Sequence, residues 1–233
     1  MQLVWEHVDR DADSPNDLFA EVFSTNDLAR TVQSFGKHCE DILSWACFTY
    51  RGYLMPATGQ LRILNMPKIH QFVLANASPD LESRFEAEVQ ASGGHDTTRI
   101  VFHGTRFDRL YPILQQGLQV CSGTNLEIHG AISGNGIYAA NEPSYALQYA
   151  HQLDHAWRNS KFKKVRVLLG VELAGTGNLL TNRGVWVVSN PDRLMVRYIF
   201  VLEEGANAPL AMHIAQPIMS GISMLKAAKN AKK

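Results

Sequence analysis

Residues 165–173 read Val-Arg-Val-Leu-Leu-Gly-Val-Glu-Leu, a run too long and too rich in β-branched side chains to be anything but a strand. Val185–Val188 and Val196–Leu202 read the same way, and Arg99–His103 and Gly136–Ala140 are shorter strands of the same kind. Leu61–Leu64 is a further short strand candidate between turn residues. Helical spacing is confined to a few segments: Asp17–Val32 with a break near residues 24–26, Cys39–Tyr50, and Phe107–Leu114, which Gly117 closes. Ser78 as N-cap, Pro79 at the first position and acids in the first turn start another helix, which runs to about Gln90. Pro143 begins a last one that extends to about Leu153. Many strands with few intervening helices predict an α+β fold with mainly antiparallel sheets.

Composition supports a folded core. Of 233 residues 45% are hydrophobic and 19% charged, and 22 basic side chains balance 22 acidic ones, which is too apolar and too neutral for a disordered chain. No window approaches the ~20 apolar residues of a membrane span, and the first residues lack a basic stretch followed by an apolar one. Cys39, Cys47 and Cys121 are odd in number and stand at no metal-ligand spacing, so they read as reduced thiols. These features predict a cytoplasmic or nuclear protein, not secreted, with no metal and no membrane contact. Ser92-Gly93-Gly94 is the expected boundary between a mainly helical segment, 1–95, and a strand-rich core, 96–210; residues 211–233 form a C-terminal extension with a basic tail.

The neutrality is a cancellation. Residues 1–100 hold 14 acidic and 8 basic side chains and the remainder the reverse, so the C-terminal part is basic. Lys226, Lys229, Lys232 and Lys233 account for most of the excess and read as a solvated tail.

Three features of the second half stand together: His103-Gly104-Thr105 at a strand end, Gly134-Asn135-Gly136-Ile137-Tyr138 after a glycine-rich loop, and Tyr149 in the helix that follows. The glycines match neither the dinucleotide fingerprint nor the P-loop. In this order and spacing, over roughly residues 40–205, the sequence resembles the catalytic domain of the poly(ADP-ribose) polymerase (PARP) superfamily, the diphtheria-toxin-like ADP-ribosyltransferases. The match runs from Phe102-His103-Gly104-Thr105 through Gly134–Ala140 and Ser144–Tyr149 to the strands at 166–173, 185–188 and 197–201. Asp41–Trp45 and His70–Leu74 look most like the mono-ADP-ribosylating branch.

The resemblance implies the ADP-ribosyltransferase fold, two packed antiparallel sheets with flanking helices and a cleft for NAD+, which serves as substrate. It implies that backbone groups at Gly104 bond the nicotinamide amide, that His103 and Thr105 meet a ribose, and that Tyr138 and Tyr149 flank and stack on the nicotinamide ring. The loop from about Cys121 to Ser133 corresponds to the family's donor loop, and the basic half suggests Arg106 and Arg109 near the pyrophosphate. Two departures matter. Val185 stands where polymerising members carry a glutamate that holds the ribose and helps activate the acceptor; a valine can neither accept that hydrogen bond nor act as a base. Ala146 stands where many members have a serine that bonds the nicotinamide amide. The resemblance therefore implies a mono-ADP-ribosyltransferase acting on a protein acceptor, with itself as one acceptor and a nucleic acid as a lesser one, since no basic-aromatic stripe is present. By analogy with related modules it also implies a link to ubiquitin conjugation. The alternative is a silent module that binds NAD+, ADP-ribose or a partner on the same fold.

Overall fold

The computed structural model of the chain describes residues 52–120, 135–155, 163–175, 179–180 and 184–230, with residues 30, 34, 36, 37 and 41 before them. Residues 1–51 and 52–233 are two separate compact units. In the first, Arg30, Ser34, Lys37 and Asp41 are helical and exposed, and Lys37 pairs with Asp41 at 3.7 Å. The helices expected at 17–32 and 39–50, the three cysteines and the loop 121–133 lie outside the described residues or almost so.

Among the described residues the second unit contains nine strands: β1 (Tyr53–Pro56), β2 (Ile69–Asn76), β3 (Arg99–Thr105), β4 (Ile137–Ala140), β5 (Leu153–His155), β6 (Lys163–Leu173), β7 (Leu179–Leu180), β8 (Val185–Val188) and β9 (Leu194–Leu202). Its helices are α1 (Pro79–Ala91), α2 (Leu110–Gln116), α3 (Pro143–Ala146) and α4 (Ala211–Asn230). The strands pair antiparallel in the order β1-β2-β9-β6-β3-β4-β8-β7, with β5 beside β6. One large antiparallel sheet thus takes the place of the two packed sheets expected, because β3 and β4 pair, at Phe102–Ala140, and carry the ladder across.

The long apolar runs become the middle of the sheet because only there are both faces covered. Every residue of β9 is buried. On one face α1 buries Phe85 and Val89; on the other α4 buries Ile214, Ile218 and Ile222. Close approach of α4 rests on two missing side chains: a Cβ on Gly170 would stand 3.0 Å from Ile218 Cδ1, and one on Gly221 would stand 2.2 Å from the Tyr198 hydroxyl. That hydroxyl donates to the Leu61 carbonyl at 3.1 Å, and burial pushes its pKa up to about 12.

Register shifts between Gly170 and Val171, so that Arg197 is the extra residue of β9. Its guanidinium lies over the Phe85 ring, donates to Glu172 at 2.8 Å and reaches both carboxylate oxygens of Glu82. From α4, Lys226 meets the other oxygen of Glu172 at 3.2 Å and Lys229 lies 3.8 Å from Glu82. Burial alone would raise the pKa of Glu82, but Arg197, the Ala77 N–H and Lys229 bring it below the usual carboxylate value.

Four further expectations change. Leu61–Leu64 is no strand: Gly59–Leu61 is a 3-10 turn, and the side chain of Gln71 occupies both backbone groups of Ile63, at 2.9 and 2.8 Å, as a neighbouring strand would. The helix from Pro143 ends at Ala146 and continues only as a 3-10 turn to Tyr149. Ser92-Gly93-Gly94 is the turn that ends α1 inside the second unit, both glycines having positive φ. Residues 211–230 form α4, and Lys226 and Lys229 are bound to buried or half-buried glutamates rather than solvated, while Lys232 and Lys233 lie outside the described residues.

Tyr198 makes the fold sensitive to alkali. Its folded pKa lies above the unfolded value of 10, so its contribution is complete below pH 10 and is lost as pH rises toward 12. Tyr198→Phe should lose about 1 kcal/mol at pH 8 with the hydrogen bond. In urea denaturation at pH 11, where the unfolded tyrosine ionises and the folded one does not, the gap to the parent protein should close; an unchanged gap would refute the assignment.

Candidate active site

His103, Gly104 and Thr105 are the last three residues of β3. Beyond the Phe102–Ala140 pair β3 and β4 share no register partners, and the His103 side chain spans the seam: Nδ1 lies 2.8 Å from the Tyr138 carbonyl oxygen. A carbonyl only accepts, so Nδ1 carries the proton, and the neutral ring keeps Nε2 as an acceptor. Burial holds the imidazole below its ordinary 6.5, with the Tyr138 carbonyl offsetting part of that shift. One bond thus fixes the tautomer, the ring plane and the spacing of two strands.

Gly104 has a different neighbour from the one its sequence suggests. A Cβ there would stand 1.9 Å from the Ala146 carbonyl oxygen and 3.1 Å from the Ala150 nitrogen, so the residue is glycine because α3 is pressed against β3. Gly136 is similar: its Cβ would stand 2.8 Å from Val187 Cγ1 and 3.0 Å from the Val188 oxygen. Ala146, 4% exposed, sits in the apolar cluster that includes Phe102, Ala140 and Val185, with half-buried Tyr138 packed against it. Thr105 is buried and pairs with Val167 on β6.

Tyr149 ends the 3-10 turn after α3 and is 36% exposed, its ring 6.0 Å from that of Tyr145 and tilted by 46°. An aromatic face open to solvent beside the β3 end can stack on a planar ligand. Val185, 6% exposed, faces Ala140 across the β8–β4 pairing, and Ala140 faces Phe102. His103, Tyr138, Gly104 and Ala146 are thus brought into direct contact or bonding. Val185 lies two strands from β3 in the same cluster, and Tyr149 is reached through α3.

Arg106 is committed elsewhere, donating to both carboxylate oxygens of Asp108 at 3.0 and 2.6 Å. Sequence reasoning passed over Asn141 and Glu142. Asn141 ties the ends of β4 and β8 together: its N–H donates to the Gly184 carbonyl and its Oδ1 accepts from Trp186 Nε1 at 2.7 Å, while Arg99 lies over the Trp186 ring. Nothing in the spacing of residues 45 apart announces such a contact. A cavity under α1 and α2, lined by Leu74, Leu81, Phe85, Ile113, Leu114 and Met195, shares no residue with this constellation. Among the described residues no group of three or more His, Cys, Asp or Glu side chains could hold a metal ion, and no helix is long and apolar enough to cross a membrane.

Two outcomes follow from the contacts. Gly104→Ala should destabilise the fold by about 1–3 kcal/mol in urea denaturation, because backbone rather than a mobile side chain must give way. A variant as stable as the parent would show that α3 yields freely. His103 binds its proton less readily folded than unfolded, so stability is intact above pH 6.5 and falls as pH drops below it. Its imidazole resonances should titrate with a midpoint under 6.5; a higher midpoint would overturn the neutral tautomer.

The family model of the poly(ADP-ribose) polymerase catalytic domain matches residues 72–196, from β2 to β9. Protein mono-ADP-ribosyltransferase PARP8 of Mus musculus and that of Homo sapiens are each 29% identical over 192 residues, covering 70% of this chain and 22% of theirs. Putative poly [ADP-ribose] polymerase-like 100L of Invertebrate iridescent virus 6 is 30% identical over 89 residues, 38% of this chain and 46% of its own. The chain spans about a fifth of the length of the two PARP8 relatives. With a large antiparallel sheet, flanking helices and a family match over more than half its residues, the chain belongs to the PARP catalytic domain family.

Proposed function

We propose that this protein transfers one ADP-ribose unit from NAD+ to a protein side chain and releases nicotinamide. The observation that carries the reading is the bond between His103 Nδ1 and the Tyr138 carbonyl, which leaves a neutral ring with one acceptor nitrogen beside Gly104. An acceptor nitrogen suits a ribose hydroxyl, which donates. Tyr149 supplies a face for the nicotinamide ring, and the backbone near Gly104 its amide partners. In the reaction the bond from ribose C1′ to the nicotinamide nitrogen breaks and its electron pair leaves with nicotinamide. A bond forms from C1′ to the acceptor atom, whose proton passes to solvent. The chain's contribution is orientation of the donor and exclusion of competing geometries.

Val185 favours a single addition. Its side chain is buried in an apolar cluster, so it offers the acceptor neither a base nor a hydrogen bond, and elongation lacks the group it needs. The same observation supports a second reading, a silent NAD+-binding module, because Ala146 too is apolar and buried.

Incubation with NAD+ followed by mass spectrometry separates these readings. Transfer predicts free nicotinamide and a mass increment of one ADP-ribose on the protein or an added acceptor, both falling at least tenfold in His103→Ala. Free ADP-ribose without modified protein would instead mean hydrolysis. Tight NAD+ binding with no product would establish the silent module and end the transferase reading.

A further inference from the structure

Glu142 belongs to two helices at once. Its backbone carbonyl accepts from the N–H groups of Tyr145 and Ala146 and so starts α3, at 3.2 and 3.3 Å. Its side chain turns away and accepts from the N–H of Ala211, the first residue of α4, at 3.3 Å. The first turn of α4 has no acidic residue of its own, so a carboxylate from another part of the chain meets the Ala211 N–H and the positive end of the helix.

This junction matters because of what each helix touches. The end of α3 holds the Ala146 carbonyl against Gly104, and the turn after it carries Tyr149. Helix α4 is fixed along its length: Ile214, Ile218 and Ile222 are buried in the same cluster as Ala146 and Leu147, and Lys226 and Lys229 meet Glu172 and Glu82. A short α3 has little stability of its own, whereas α4 is anchored to the sheet at many points. We propose that Glu142 is a positioning residue: it fastens α3 to α4 and thereby holds the wall formed by Ala146 and Tyr149 at its working distance from Gly104. Helix α4 lies beyond residue 196, where the family match ends, so the support comes from outside the matched region.

The inference rests on the transferase reading for its consequence but not for its geometry, and the test keeps the two apart. Glu142→Ala and Glu142→Gln are compared with the parent by amide hydrogen exchange and by NAD+ titration calorimetry. Glu142 is exposed, so both variants should fold. Loss of a cap predicts that Glu142→Ala speeds exchange about fivefold at Ala146 and Ala150 as well as in the first turn of α4, and weakens NAD+ binding by a similar factor. Glu142→Gln, which keeps the acceptor oxygen, should restore most of both. In turnover, KM for NAD+ should rise with kcat little changed. Faster exchange confined to residues 211–214, with Ala150 and NAD+ affinity unaltered, would reduce Glu142 to a simple helix cap and overturn the proposal. A parent protein that binds no NAD+ would sink the transferase reading, while exchange at Ala150 would still decide the role of Glu142.

Discussion

The Ala146 carbonyl lies so close to β3 that only a hydrogen can occupy the space at Gly104. A carbonyl oxygen is not a compliant neighbour: moving it means moving α3, and α3 is braced by buried Leu147 and Ala150 and by the capping of Glu142. The position of Tyr149 therefore follows from a backbone contact rather than from its own side chain. On the other side of β3, His103 bonds the Tyr138 carbonyl and keeps the seam with β4 at a fixed width. Between them these two contacts set the relative placement of the residues on which the proposed chemistry depends.

The opposite end of the sheet is organised by charge. Glu172 is 1% exposed and its two oxygens are taken by Arg197 and Lys226. Such a group is tolerated only because its partners are present; removal of both would strand a buried charge at a cost of about 3–5 kcal/mol. The extra residue in β9 makes this arrangement geometrically accessible, since it frees Arg197 to meet Glu82 on α1 as well as Glu172 on β6. One guanidinium thereby links the sheet to α1, while Lys226 links it to α4. Apolar packing joins the layers, and these ion pairs decide how the helices are registered along them.

Much of the fold was legible in the sequence because burial on both faces leaves an unmistakable run: β3, β6, β8 and β9 all lie where such runs lie. Ser78 and Pro79 announced α1 by capping chemistry, with the Ser78 hydroxyl accepting from the Leu81 N–H. What escaped was whatever depends on distant partners. Pro217 and Gly221 argue against a helix locally, yet α4 forms because its apolar side packs on the sheet, and Gly221 is required by the Tyr198 hydroxyl. Leu61–Leu64 has strand composition, but Gln71 supplies the partner that another strand would have supplied. Within the site, His103, Gly104 and Tyr138 were visible as a spaced set. The reason for Gly104 was not, because a glycine in sequence says only that a side chain would be unwelcome, not what would meet it.

The place of β9 bears on how the chain reaches this state. It lies between β2 and β6, pairing Ile69 with Leu202 across more than half the chain, although it is the last strand to be made. As synthesis proceeds, β1 and β2 can form a hairpin and β3 can pair with β6, but the two pieces have no common neighbour until residues 194–202 emerge. Closure of so distant a ladder is slow, and the waiting strand edges are adhesive. The β1–β2 hairpin and the β3–β6 pair thus stay unjoined until β9 emerges between them and makes the strands one sheet.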